Sequence, residues 1–296
     1  MSTTMKKIFL CLIGILAGLA AWPFAEIILV FQSSFVSYLL FSIILGMIFG
    51  LVMGAFFCTT EGVVLSDMSK LFSGILVGAI VGVIGGIIGF LVGQGALFII
   101  GDKIIHSMKK VRLIGYPISR AIGWSFLGIF IGMTEGVRAG SLKKIIIGII
   151  GGFFGGAFGG LALEYSRLLI PSIIIARLIG LLIFGFFIGL FYGFVEKSLS
   201  FGVLRLLNGE FKGKEFLINQ RKVKIGASGW NDIKLKEYED VESRHAVVYA
   251  KKDDLFIKGL DNKNPVKVND DIIREHKLKM EDVIKIGSAK FLYKFK

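Results

Sequence analysis

Histidine and cysteine are nearly absent from this chain: its 296 residues include three histidines, His106, His245 and His276, and two cysteines, Cys11 and Cys58. Three histidines so far apart, with both cysteines inside apolar segments, assemble neither a Ser/His/Asp constellation nor a metal cluster. They also offer no CxxC spacing and no disulfide framework. Glycine is abundant, but no stretch ends in the Gly-Lys-Ser/Thr that a phosphate-cradling loop needs. The expectation is a protein that is not an enzyme and holds no metal and no cofactor.

Charge is scarce in one part of the chain only. Residues 1–200 carry 14 basic and 7 acidic residues, against 21 and 15 in residues 201–296, and hold 32 of the 39 glycines. The second part in turn lacks any long apolar run. This asymmetry predicts two domains, a membrane domain over 1–200 and a soluble one over 201–296. The excess of positive charge is spread over both, about +7 and +6 by those counts. Clustered Lys and Arg with stacking aromatics are missing, which argues against a nucleic-acid partner. Basic residues beside helix ends suit anionic lipid headgroups, so the bilayer itself is the first partner.

Apolar runs long enough to span a bilayer core, about 20 helical residues, lie at 8–31, 36–58, 71–93, 118–134, 145–163 and 172–194. The first has the basic start and small residues of a cleaved signal, at Lys6, Lys7, Ala17, Ala20 and Ala21. It continues past Trp22-Pro23, so a retained helix is expected. Six helices follow from this count. Between the third and fourth, residues 102–112 place Ile104, Ile105 and Met108 on one face among lysines, which predicts an interfacial amphipathic helix.

The membrane domain repeats itself. Gly74, Gly78, Gly82, Gly85 and Gly86 recur at an offset of 74 as Gly148, Gly152, Gly156, Gly159 and Gly160, and upstream Gly54, Glu61, Gly62 and Lys70 pair with Gly128, Glu135, Gly136 and Lys144. At an offset of 57, Arg120, Gly123, Gly128, Gly132 and Gly136 correspond to Arg177, Gly180, Gly185, Gly189 and Gly193. Duplicated hairpins are predicted. Glycine at every fourth position lines one helix face and admits a second backbone, so the ladders read as glycine-zipper seams of an all-α transmembrane bundle. The same faces would serve between copies in a homo-oligomer.

Four carboxylates of this domain are candidate site residues. Glu61, Glu135 and Glu196 recur at one end of the second, fourth and sixth helices. Their place near the interface predicts solvated helix-end groups paired with Arg138, Lys143 or Lys197. The sharper alternative is a ring of carboxylates guarding a cation or proton path. Glu26 lies nearer the middle of its span, where a charge costs about 2.5–3.5 kcal/mol and usually marks function; a buried hydrogen bond to a neighbouring helix is the plainer reading. Charge does not orient the bundle. Lys6, Lys7, Lys70, Arg138, Lys143, Lys144 and Lys197 fall on one side, and Lys103, Lys109, Lys110, Arg112, Arg120, Arg167 and Arg177 on the other.

From Leu204 onward the pattern changes to nine or more short apolar alternations separated by polar turns, which predicts an all-β sandwich. Four stretches then follow in order: Val223-Lys-Ile-Gly226-Ala227-Ser228 through Asn231 to Leu235, Val241-Glu242-Ser243-Arg244-His245-Ala246, Leu260 through Asn264-Pro265 to Asn269, and Leu278 through Asp282 to Gly287. Together they resemble a forkhead-associated (FHA) domain over about 203–296. The resemblance implies an eleven-stranded β-sandwich anchored by Ile225, Ile233, Leu235, Val268, Ile284 and Ile286, whose loops at one end bind phosphothreonine peptides.

The phosphate-binding positions depart from that family's pattern. Its Gly-Arg pair stands here as Gly226-Ala227, so the arginine that would hold phosphate is missing. The family serine three residues before the histidine is Glu242, a like charge to phosphate. Asn264 is kept, but the glycine after it is Pro265, with a fixed backbone and no N–H. His245 matches a structural histidine, and Gly226 belongs with it as part of the structural motif. Ser228, Ser243, Arg244 and Lys263 remain as substitute peptide contacts, Arg244 supplying a cation from a different direction.

Two functions stay open. The first is a membrane-anchored adaptor that recruits a protein or phosphoprotein partner at the cytoplasmic face of the inner or plasma membrane, the side following from the family resemblance. The second is a channel or transporter-like component regulated by the FHA-like domain; it would need a polar path, and Ser73, Gln94, Ser125 and Thr134 form no obvious line.

Overall fold

The computed structural model describes residues 3–65, 67–104, 111–251, 254–260 and 263–294. Contacts divide it into two compact units, 6–196 and 197–296 with 1–5.

The first unit is helical: α1 Thr3–Val30, α2 Tyr38–Cys58, the short α3 Thr60–Leu65, α4 Met68–Ile104, α5 Tyr116–Arg138, α6 Leu142–Leu169 and α7 Ile173–Leu199. Six of these segments are long and apolar enough to cross a membrane, with α3 continuing α2 as one span. Most are longer than their apolar runs because polar first and last turns stay helical. Ser37 caps α2 by accepting the Leu40 N–H at 3.2 Å, and Ser141 caps α6 by accepting the Lys144 N–H at 3.4 Å. Between α5 and α6, Gly140 takes a positive φ of 58°, and the Ser141 N–H bonds back to the Gly136 carbonyl, which closes a tight hairpin. The interfacial helix expected over 102–112 falls largely outside the described residues.

Glycines sit where helices touch. A Cβ at Gly50 or Gly82 would fall on the other residue's carbonyl, and the same holds for Gly54 with Gly78, Gly46 with Gly86, Gly128 with Gly152 and Gly132 with Gly148. The helices of α2 with α4, and of α5 with α6, therefore approach at backbone contact, where even alanine would separate them. Gly14 meets Gly185 in the same way between α1 and α7. Against these flat faces pack Phe49, Met53, Phe57, Leu127, Ile131, Phe184 and Ile188, which are buried in one core. Large side chains fill the space that the close seams leave on either side.

The second unit holds eleven strands: β1 Gly202–Leu206, β2 Glu215–Ile218, β3 Lys222–Gly226, β4 Ile233–Lys234, β5 Ala246–Lys251, β6 Asp254–Gly259, β7 Lys267–Val268, β8 Asp271–Ile272, β9 Glu275–Lys277, β10 Val283–Ile286 and β11 Ala289–Lys294. They form a six-stranded sheet in the order β2-β1-β11-β10-β7-β8 and a five-stranded sheet in the order β4-β3-β5-β6-β9. Inward residues of both sheets make one core that contains all six anchors expected from the sequence, Ile225, Ile233, Leu235, Val268, Ile284 and Ile286. A bundle of apolar helices followed by an FHA-like sandwich is thus the architecture.

Candidate functional site

Strand register gathers the candidate peptide-binding loops. In the five-stranded sheet Ile225 of β3 pairs with Ala246 of β5, and Ala246 pairs with Gly259 of β6. Chain direction alternates across these three strands. The β3–β4, β4–β5 and β6–β7 connections therefore leave the sheet at the same edge, and they carry Ser228, Glu242, Ser243, Arg244, Lys263 and Asn264.

Two buried side chains lace the loops together. Asn231 donates through Nδ2 to the carbonyls of Ser228 and Ser243, at 3.0 and 2.7 Å. His245, wholly buried, accepts the Glu242 N–H on Nδ1 at 3.1 Å, while its own N–H donates to the Ile225 carbonyl and its carbonyl accepts the Leu260 N–H. The other ring nitrogen, Nε2, has no hydrogen-bond partner among the described residues. His245 is an organiser of the loops. Gly226 has the matching role in backbone: a Cβ there would lie 2.6 Å from the Ser243 carbonyl oxygen and 2.9 Å from Asn231 Nδ2. Only glycine lets the β4–β5 loop close down on the end of β3.

The outward groups of this edge are a mixed set. The Ala227 N–H donates to the Glu242 carbonyl and the Ser228 N–H to the Ser243 carbonyl, so both donors are consumed between loops. Glu242, Ser243, Arg244 and Lys263 are exposed, and Asn264 is half-buried. Beside them Trp230, on the β3–β4 loop, is 90% exposed. Sequence reasoning passed over Trp230; its neighbours Gly229 and Asn231 mark a turn, where a large aromatic finds no core to enter.

At the other side of this sandwich Asp282 is buried beneath the β7–β8 turn. It accepts hydrogen bonds from the Lys279 N–H at 2.7 Å and Asn269 Nδ2 at 2.8 Å, and its carboxylate lies 3.1 Å from His276 Nε2. Burial pushes its carboxyl up, but those hydrogen bonds and the charge of His276 outweigh it and hold the group below its ordinary value of 3.8.

In the helical unit the recurrent glutamates come together, though differently from the expectation. Glu135 and Glu196 are 8% and 3% exposed, so they are buried groups and not solvated helix ends. Glu61 is bound by Arg138 at 2.9 Å and Lys144 at 2.8 Å, with Lys70 at 3.7 Å; Glu135 pairs with Arg138, and Glu196 with Lys6 at 2.6 Å. Lys144 stands at the start of α6 and Lys6 on α1, so these partners come from sequence-distant helices. All three glutamates border a cavity of about 20 Å³, room for about one water.

Glu26 meets Arg177 of α7 through two hydrogen bonds of 2.6 Å. This pair borders a larger feature. At the end of the bundle where α1, α4 and α6 finish and α2, α5 and α7 begin, a cavity of about 290 Å³ is lined by residues of all six long helices. Its aromatic wall holds Phe49, Phe90 and Trp124, with Trp124 edge-on to both phenylalanines at 5.5 Å. Glu164, buried, accepts from Trp124 Nε1 on one oxygen at 3.2 Å and from Arg120 and Arg167 on the other at 3.1 and 3.3 Å. Glu164 escaped the sequence reading because it lies away from the helix ends that carry the other three glutamates, and its counterpart 74 positions earlier is Phe90.

Against known proteins, residues 205–295 match the family model described as "Inner membrane component of T3SS, cytoplasmic domain". Among solved structures, the FHA domain of a Chlamydia trachomatis protein is 24% identical over 32% of this chain and 97% of its own, with a TM-score of 0.30. An FHA domain of an Arabidopsis thaliana protein is 19% identical over 33% of this chain and 87% of its own, with a TM-score of 0.31. A structure from a study of phosphothreonine-dependent FHA domain interactions is 21% identical over 32% of this chain and 96% of its own, with a TM-score of 0.30. No curated protein matches the chain.

Proposed function

We propose that this protein is a non-enzymatic, membrane-anchored adaptor whose FHA-like domain docks a protein partner at the cytoplasmic face without requiring phosphothreonine. The observation that carries this is the state of the two positions where a phosphate would need donors. Ala227 has no side-chain donor and spends its N–H on the Glu242 carbonyl, while the Glu242 carboxylate stands exposed in the same loop cluster. A phosphate would meet a like charge there. The rest of the edge suits an ordinary protein contact: Trp230 is an exposed aromatic anchor of the kind that dominates interfaces, and Ser228, Arg244, Lys263 and Asn264 are carried by the loops of the same edge. The match of residues 205–295 to the cytoplasmic domain of a T3SS inner-membrane component supports the cytoplasmic side.

The duplicated hairpins, in this reading, give the anchor its rigidity. Gly54 faces Gly78 in one hairpin and Gly128 faces Gly152 in the next, each partner 74 positions on, so two copies of one seam stiffen the bundle. A regulated channel is disfavoured, because Met53, Leu127, Ile131, Phe184 and Ile188 are fully buried between the two ends of the bundle.

The test is a titration of residues 200–296, which carry their own core, against a degenerate phosphothreonine peptide library and its unphosphorylated counterpart. No preference for phosphate is expected, with partner capture by the full chain weakened roughly thirtyfold by Trp230→Ala, the loss of an interface anchor of about 2 kcal/mol. Saturable phosphate-dependent binding that Arg244→Ala abolishes would replace this reading with a phosphosignalling adaptor.

A further inference from the structure

The cavity of about 290 Å³ at the Glu26 and Arg177 end of the bundle is lined by residues of the helical unit alone, and the proposed docking does not use it. Its volume is near the lower end of ordinary ligand pockets, roughly 300 Å³. Two properties of its walls define what would occupy it.

Charge is the first. Arg120, Arg167 and Arg177 line the cavity along with Glu164, and Glu26 is bound to Arg177. Arg177 is matched one to one by a bidentate carboxylate. Arg120 and Arg167, by contrast, share a single oxygen of Glu164, whose other oxygen is taken by Trp124. Among the described residues, three guanidinium groups against two carboxylates leave about one positive charge at the cavity. Arg120 and Arg167 both line the cavity, and their side chains are 36% and 29% exposed, so a ligand there can reach them. Each guanidinium carries five donors in a fork that fits a phosphate or carboxylate. A cation would be repelled, and a neutral apolar molecule would leave those donors without use.

Shape is the second. Beneath the charges the wall is aromatic and aliphatic, formed by Phe41, Leu45, Phe49, Phe90, Trp124 and Leu181. A small anion alone would leave this surface uncovered. A charged head on an apolar tail satisfies both halves.

We propose that this cavity binds an anionic amphiphile of the bilayer, a phosphate or carboxylate head held by Arg120 and Arg167 with its apolar tail over Phe49, Phe90 and Trp124. Glu164 acts as the orienting group: it holds both guanidinium planes and the indole in one cluster, so that binding at the arginines perturbs Trp124. Arg177, which also lines the cavity, is bound by Glu26, and this pair ties α1 to α7.

Trp124 makes the site observable. The chain has three tryptophans, and Trp22→Phe with Trp230→Phe leaves Trp124 as the only one in the full-length protein. That protein is placed in phosphatidylcholine nanodiscs with increasing phosphatidylglycerol, and in parallel in pure phosphatidylcholine nanodiscs with increasing inorganic phosphate. The expected result is a saturable change in Trp124 emission with phosphatidylglycerol and none with inorganic phosphate. Arg167→Gln, which leaves Arg120 bound to Glu164, should weaken the response roughly tenfold or more, as loss of a charged hydrogen bond implies. Ser42→Phe, which fills the cavity and alters no charge, should remove it. The melting temperature in phosphatidylcholine serves as the folding control for both variants. No response to phosphatidylglycerol, a response unchanged in both variants, or the same response from inorganic phosphate would each overturn the proposal.

Discussion

Asp282 shows how a single buried charge is made compatible with a small sandwich. The β7–β8 turn places Asn269 and Asp270 at positive φ, 52° and 69°, and Asn269 then bonds to Asp282 and to the Val283 N–H. Because its carboxyl is held below the ordinary value, the folded domain binds this proton less tightly than the unfolded chain does. The stabilisation is thus fully present above the unfolded value of 3.8 and is lost as pH falls through the lower folded value. For residues 200–296, the difference in denaturation midpoint between wild type and Asp282→Asn should be constant above about pH 5 and shrink below about pH 4. A difference independent of pH down to 2 would remove the carboxylate from this role. At the same scale, His245 and Gly226 could be recognised from the order of residues alone, since each sits within a fixed motif. Glu164 and Trp230 could not. Neither belongs to a repeat or motif, and their importance comes from what other elements bring beside them or leave uncovered.

Helices of the membrane unit are held by surfaces that lack side chains. A residue larger than glycine at the α2–α4 seam must push two backbones apart, so Gly82→Val should destabilise the protein by about 1–3 kcal/mol or more. Gly95, on the same helix, has nothing within 4 Å of an added Cβ, and Gly95→Ala should be neutral or slightly stabilising. Thermal unfolding of both variants in the same detergent checks this; equal melting temperatures would mean the seam carries no packing strain. Helix positions were legible because an apolar run of bilayer length admits few alternatives. Strand positions were legible where alternation is strong, as in β3, β10 and β11. The strands β8 and β9 were not read from the sequence: Asp271–Ile272 and Glu275–Lys277 are short and mostly exposed, with no alternation to betray them. Their pairing is set by β7 and β6, which lie beside them.

For the whole molecule, the adaptor reading requires the FHA-like domain on the cytoplasmic side. Lys236 is exposed in that domain, and a Lys236→Cys variant should react with a membrane-impermeant maleimide in inverted vesicles and not in intact cells, against a background of Cys11 and Cys58 within helices. The opposite pattern would reverse the orientation, which charge counting left balanced. The sequence by itself determined the division into an apolar and a polar part, the six apolar spans of membrane length and the sandwich that follows them. Each of these depends on composition and periodicity, which are local properties of the chain. Only the tertiary structure decided which charges meet: Lys6 with Glu196, Lys144 with Glu61, Arg177 with Glu26, and two arginines on one glutamate at the wall of an open cavity. Apart from Arg167, which is three residues from Glu164 on α6, those partners lie on different helices, and in a low-dielectric interior the energy of a charge depends on what lies within a few ångströms of it, which no single helix specifies.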